Sequence, residues 1–226
     1  MKRNPKRRSY LKSVSLDLSR FSRLYRTDSL KWELIPPLIK RMYNAVNFPV
    51  DTNKAAEAYG RLLEQEGGRA DHLRLAKLIY LADRKSLVER DVPIVGGTYL
   101  SLRKGPMISE MTNFANRLNA PRWKEHISPR YGNEIRLIKK FDYSELSEAE
   151  LEILDAVVEE HRNKTTEELT QWCHENCGEY ENVIWTRKPI SVEKLLVAEK
   201  KTNQKIAEIV QRAKADLELD ALISAL

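Results

Sequence analysis

Residues 72–91 read HLRLAKLIYLADRKSLVERD. Leu75, Leu78, Ile79 and Ala82 recur at helical spacing, which predicts a helix from about Ala70 to Val88 with these four on its buried face. Asp83 and Glu89 stand among Arg84, Lys85 and Arg90. Mixed charges at that density read as a solvated face, not as an acid/base pair.

Upstream, Ala55, Ala58, Tyr59, Leu62 and Leu63 form a second amphipathic stripe that starts near Thr52. Gly67-Gly68 ends it, since glycine readily takes the left-handed conformation that follows a helix. Downstream, Asp91 to Tyr99 (DVPIVGGTY) is a turn-rich connection with a short strand. The stretch SLRKGPMISEM (101–111) follows. Met111, Phe114, Ala115 and Leu118 fall at i, i+3, i+4 and i+7, so a helix is expected over 107–118, with Gly105 as its N-cap and Pro106 in its first turn. Around Ile135 and Leu137 the pattern alternates beside a Tyr-Gly-Asn turn, as in a short hairpin.

Two capping boxes come next. Ser147-Glu-Ala-Glu150 precedes Leu151, Leu154, Val157 and Val158, with Leu146 and Leu151 placed as a hydrophobic staple. Thr165-Thr-Glu-Glu168 precedes Leu169, Trp172 and Cys173. A last helical stretch is expected from about Ser191, where Ile206, Val210, Ala213 and Leu217 keep a near-heptad spacing that suits packing on the body or pairing with a second chain. The fold class expected is mainly α with a small antiparallel β element: a compact helical domain over 51–200, a C-terminal helix over 201–226 and a basic extension over 1–50. No repeat of fixed period is present.

The charge is uneven. The chain has 226 residues and a formal net charge of +6. Residues 1–50 hold twelve Lys and Arg against Asp17, Asp28 and Glu33, a net of +9, so the rest is slightly acidic. MKRNPKRRS has no apolar periodicity and reads as disordered when free. Leu30 to Val46 is more apolar, is interrupted by Pro36-Pro37, and reads as an arm that packs on a surface. No apolar run approaches the roughly 20 residues that span a membrane. The N-terminus lacks the apolar core of a secretory signal. Two cysteines do not make a disulfide framework, and a cytoplasmic location is expected.

The chemistry is sparse. Cys173-His174-x-x-Cys177 is the one cluster that merits a test, and it lacks the second ligand pair of a structural zinc site. On a helix the two cysteines continue the Leu169 stripe and read as small core hydrophobes. Cys173 and His174 are adjacent in sequence, so they point about 100° apart and do not form a nucleophile–base pair. No phosphate loop, nucleophile elbow or zinc-protease motif is present. No enzyme activity, cofactor or metal is expected.

The order of these features resembles the Panacea domain, the SocA-like antitoxin family. The LeuxKLLYYA-like run of that family is matched by Leu75, Lys77, Leu78, Tyr80 and Ala82. Its Gly-Pro landmark is matched by Gly105 and Pro106, preceded by the basic pair Arg103 and Lys104. Leu146 to Val158 and Thr165 to His174 are similar to its closing helices. Trp185 lies further from His174 than the family's His–Trp pattern has it. The likeness spans roughly residues 52–200. It implies the antitoxin of a bacterial or phage-borne type II toxin–antitoxin pair, which neutralises a cognate protein toxin by direct contact. Lys77, Tyr80, Arg103, Lys104, Gly105 and Pro106 are then candidates for partner binding, with bracing of the Gly-Pro loop as the alternative for Lys77 and Tyr80. A nucleic-acid-binding role for residues 1–30, through phosphate contacts, is the competing function.

Overall fold

The computed structural model describes residues 48–111, 121–184 and 187–223. Residues 1–47, with the basic extension and the Leu30–Val46 arm, lie outside the described residues.

Helix α1 (Thr52–Gln65) is capped by Asp51, whose carboxylate accepts from the backbone N–H groups of Asn53 and Lys54 at 2.8 and 3.1 Å. Its expected stripe, Ala55, Ala58, Tyr59, Leu62 and Leu63, is buried. Strand β1 (Arg69–Asp71) then runs directly into helix α2 (His72–Arg90). Asp71 makes the switch, because it closes the strand and caps the helix by accepting from Leu73 at 2.7 Å. The helix therefore starts at His72, and Ala70 sits in β1 opposite Ile135.

Helix α2 is the axis of the fold. Helix α1, the helices Glu148–His161 and Thr166–Asn176 and the strand Gly105–Ile108 all lie against it. The expected face of Leu75, Leu78, Ile79 and Ala82 is buried, but so are Ala76, Lys77, Tyr80, Asp83 and Ser86 on other sides. The stretch from Leu75 to Asp83 is covered all round and must carry its buried polar groups in satisfied pairs, because an unpartnered one costs about 1–3 kcal/mol.

Strands β2 (Tyr99–Leu102) and β3 (Gly105–Ile108) form an antiparallel hairpin, and β5 (Lys188–Pro189) pairs with the other edge of β2. This corrects the expected helix start. Gly105 and Pro106 open an edge strand, with Pro106 opposite Ser101 and Gly105 opposite Leu102. An edge position tolerates proline, which has no N–H to donate. Extended geometry wins because it lays Met107 and Ile108 into the core beside α2. Helical geometry begins only at Ser109, and of the expected stripe Met111 is buried. Phe114, Ala115 and Leu118 lie outside the described residues.

After helix α3 (Pro121–His126) the chain folds back at Tyr131–Glu134, and Ile127 bridges to Leu137. The turn is local, as the alternation implies. The strand it feeds, β4 (Glu134–Arg136), finds its main partner 65 residues away in β1.

Both capping boxes form. Helix α4 (Glu148–His161) begins with the Glu150 carboxylate accepting from Ser147 N–H at 2.9 Å. Helix α5 (Thr166–Asn176) begins with Glu168 N–H donating to Thr165 Oγ1 at 3.2 Å and Thr165 N–H donating to Glu168 at 2.7 Å. Thr165→Ala removes one of these bonds, and an unfolding titration is expected to read a loss of about 1 kcal/mol.

The final helical stretch divides in two: α6 (Val192–Ala198) and α7 (Asn203–Ile223). Lys200, at a φ of 59°, turns the chain between them. Ile206, Val210 and Ala213 are buried in the core of the body, with Leu217 half-buried. The fold is mainly α with two small antiparallel sheets.

Candidate functional site

The six candidate residues gather around the β2–β3 hairpin and the middle of α2. Leu102 pairs with Gly105, so Arg103 and Lys104 are the two-residue tip, and both are exposed. Neither has a positive φ, whereas Gly105 lies at +91°. Glycine supplies the turn conformation that an L side chain resists. Space argues the same way: a Cβ on Gly105 would stand 2.8 Å from Lys77 Nζ and 3.2 Å from the His174 ring.

Lys77 is fully buried and donates to the carbonyl of Pro106 at 2.8 Å. Burial, helped by Lys104 and opposed by Cys173 and Cys177, pushes its ammonium down to about 8. The His174 imidazole, lowered by burial and then by Lys77, is neutral at pH 7. It stacks on Tyr180 with ring centroids 4.6 Å apart. Tyr180 in turn donates to the carbonyl of Leu102 at 3.1 Å, and Glu181 N–H donates to Ser101 Oγ at 3.1 Å. The hairpin is thus gripped on both strands: α2 holds β3, and the segment after α5 holds β2.

Tyr80 does a different job. Its hydroxyl donates to Glu179 at 2.6 Å, and Arg84 donates to the same carboxylate at 2.8 Å. Glu179 is fully buried, so two donors from α2 are what keep its charge tolerable there. Tyr80 also meets Tyr99 edge-on, at 5.8 Å between centroids.

Tyr99 leads to the residue that the sequence misrepresents. Asp83 does not lie on a solvated face; it is fully buried. It accepts from the backbone N–H groups of Ile94, Val95 and Gly96 at 3.0, 2.8 and 2.8 Å and from the Tyr99 hydroxyl at 3.0 Å. Glu89 does stand exposed, paired with Lys85 at 2.7 Å. The difference is one of helix face: Asp83 points at the Pro-Ile-Val-Gly-Gly loop, whose successive N–H groups need an acceptor. That run of turn residues just after the helix is the signal that could have found it.

Cys173 and Cys177 are buried free thiols, as core hydrophobes would be. Cys173 lies in α5 and Cys177 caps it. His174 turns away from Cys173 toward Gly105. Among the described residues no group of three or more His, Cys, Asp or Glu side chains is placed to hold a metal ion. Trp185 lies outside the described residues. Glu57 was not singled out in the sequence; it is fully buried in α1 and accepts from Arg122 at 2.5 Å and from Glu145 N–H at 2.8 Å. No helix among the described residues is long and apolar enough to cross a membrane.

Four of the six candidates (Lys77, Tyr80, Gly105, Pro106) are buried and hold the hairpin and its neighbours, while Arg103 and Lys104 are displayed. Comparison with protein families places the match over this same region: residues 75–181 fit the family described as antitoxin SocA-like, Panacea domain. Neither the curated proteins nor the solved structures give a match.

Proposed function

We propose that this chain, whose residues 75–181 are a SocA-like Panacea antitoxin domain, is the antitoxin of a toxin–antitoxin pair and neutralises its toxin by direct protein–protein contact. The observation that supports this reading is the rigidly held hairpin with an exposed Arg103-Lys104 tip inside the matched region. A recognition loop gains affinity when it is ordered before binding, because little entropy is left to lose. Neutralisation of this kind needs a surface of about 1,200–2,000 Å² and no catalytic group. The partner is a protein toxin, and the setting is the bacterial cytoplasm, with the pair encoded by the bacterium or by a phage.

The test is a growth assay in a bacterial host with the product of the adjacent open reading frame induced. Viable counts are expected to recover when this chain is co-expressed. A toxic neighbour that kills equally with and without it overturns the reading. Within the same assay, Arg103→Ala with Lys104→Ala is expected to weaken toxin binding by tenfold or more, about 1.4 kcal/mol, with the thermal midpoint unchanged. Both side chains are exposed, so a loss of binding reports contact and not misfolding.

A second reading rests on the +9 charge of residues 1–50. Phosphate contacts by this segment would make nucleic-acid binding fall steeply with salt. Removal of residues 1–30 is expected to abolish any such binding; retention by the truncated chain sinks this reading.

A further inference from the structure

The grip on the β2–β3 hairpin has room for one positive charge and not for two. The His174 ring lies between α5 and the hairpin, stacked on Tyr180 with centroids 4.6 Å apart and planes 6° from parallel. Its Nε2 is buried and has no hydrogen-bond partner. Lys77 Nζ and His174 Nε2 stand 2.8 and 3.2 Å from one point, the place that a Cβ on Gly105 would take. The two nitrogens are therefore within about 6 Å of each other. Lys77 is fully buried, and its ammonium, held at about 8, is charged in neutral and acidic solution. A proton on the imidazole would set a second cation against it, out of water, where like charges repel strongly.

The other groups around the ring do not relieve this repulsion. Lys104, at the hairpin tip, adds positive charge beside Lys77. Cys173 and Cys177 are free thiols that favour the Lys77 ammonium, not a charged ring. The Tyr180 hydroxyl is committed to the Leu102 carbonyl. Glu175 favours a charged imidazole, but it is exposed and already accepts from Gln171 at 2.6 Å.

We infer that His174 is a proton-operated latch on the β2–β3 hairpin: the grip closes on the neutral imidazole, and uptake of a proton by the ring drives the Gly105 strand off α2 and frees the Arg103-Lys104 tip. An imidazole ordinarily titrates near 6.5, and burial with Lys77 holds the gripped ring lower. Between these two values, opening of the hairpin takes up one proton. The grip is at full strength above about 6.5 and weakens as pH falls below it, by up to tenfold in the opening constant per pH unit. The latch does not depend on the antitoxin reading; its consequence does, since a freed tip loses the order that favours binding of the toxin.

Native-state amide hydrogen exchange on the full chain, read by mass spectrometry and corrected for the intrinsic pH dependence of exchange, tests the latch. Protection of residues 99–108 in the natural chain is divided by that in His174→Gln, which cannot take up the proton. Titration of Asp83, His72 and His161 is common to both chains and cancels. The ratio is expected to be level above pH 6.5 and to fall below it, by up to tenfold per unit. A ratio that stays level down to pH 5, or that rises, overturns the proposal. Should far-ultraviolet circular dichroism show that the variant does not fold, the His174 Cε1–H resonance of the natural chain decides. Its midpoint is expected below 6.5, with the hairpin resonances shifting in step; a midpoint at or above 6.5, or hairpin resonances that do not follow it, overturns the latch.

Discussion

Asp83→Ala is expected to lower the unfolding free energy by about 4 kcal/mol, because three buried backbone N–H groups and one phenol each lose their acceptor. The bonds concerned run from Ile94, Val95, Gly96 and Tyr99 to one carboxylate. No water can replace that carboxylate without entering a fully buried site. Asp83→Asn keeps the shape and one acceptor oxygen, so it costs less, about 2 kcal/mol. Urea titrations of the two variants check the order, and equal costs would mean that the loop does not depend on these bonds.

The same residue gives the fold a pH signature. Burial pushes the Asp83 carboxyl up to about 7 from an ordinary value of 3.8, against the pull of its four donors. Between these two values the unfolded chain is ionised while the folded chain holds the proton. Unfolding then releases a proton, so the stability contributed by Asp83 falls as pH rises from about 4 to about 7 and is level above that. Asp83→Asn has no such group. Its penalty relative to the natural chain is therefore expected to be larger at pH 5 than at pH 8. A penalty that is the same at pH 5 and pH 8 would show that the donors hold the carboxylate ionised across this range.

Gly105→Ala is the second large effect, with an expected loss of about 3 kcal/mol. Two costs add: a left-handed φ of +91° that alanine resists, and a Cβ 2.8 Å from the Lys77 ammonium. Lys77 cannot swing aside cheaply, since it is fully buried and would give up its bond to the Pro106 carbonyl. Relief requires the hairpin to lift from α2. On the proposed antitoxin role, toxin binding is then expected to fall with stability, whereas Arg103→Ala with Lys104→Ala is expected to lower binding alone. Thermal unfolding and a binding titration on both variants separate the two. An unchanged melting temperature in Gly105→Ala would show that the hairpin is not clamped as described.

Much of the fold is legible from local pattern. The stripe of α1, both capping boxes and the burial of the two cysteines follow from spacing and from residue types whose preferences act within one turn of helix. The candidate site is legible only in part. The spacing of Lys77 and Tyr80 and the Gly-Pro pair mark the region, but not the division of labour within it. Gly105 and Pro106 suit a helix start as well as an edge strand, and the choice rests on what Met107 and Ile108 find to pack against.

The sequence by itself determined where α1, α4 and α5 begin, because caps and apolar periodicity act on neighbours a few residues away. It also determined that the positive charge is concentrated before residue 50. Only the tertiary structure decided that α2 is covered all round from Leu75 to Asp83, and hence that Lys77, Tyr80 and Asp83 turn inward to separate partners. The reason is physical: a charged side chain reads as exposed until its partners are known. Those partners, Pro106, Glu179 and residues 94–96, lie 11 to 99 positions along the chain.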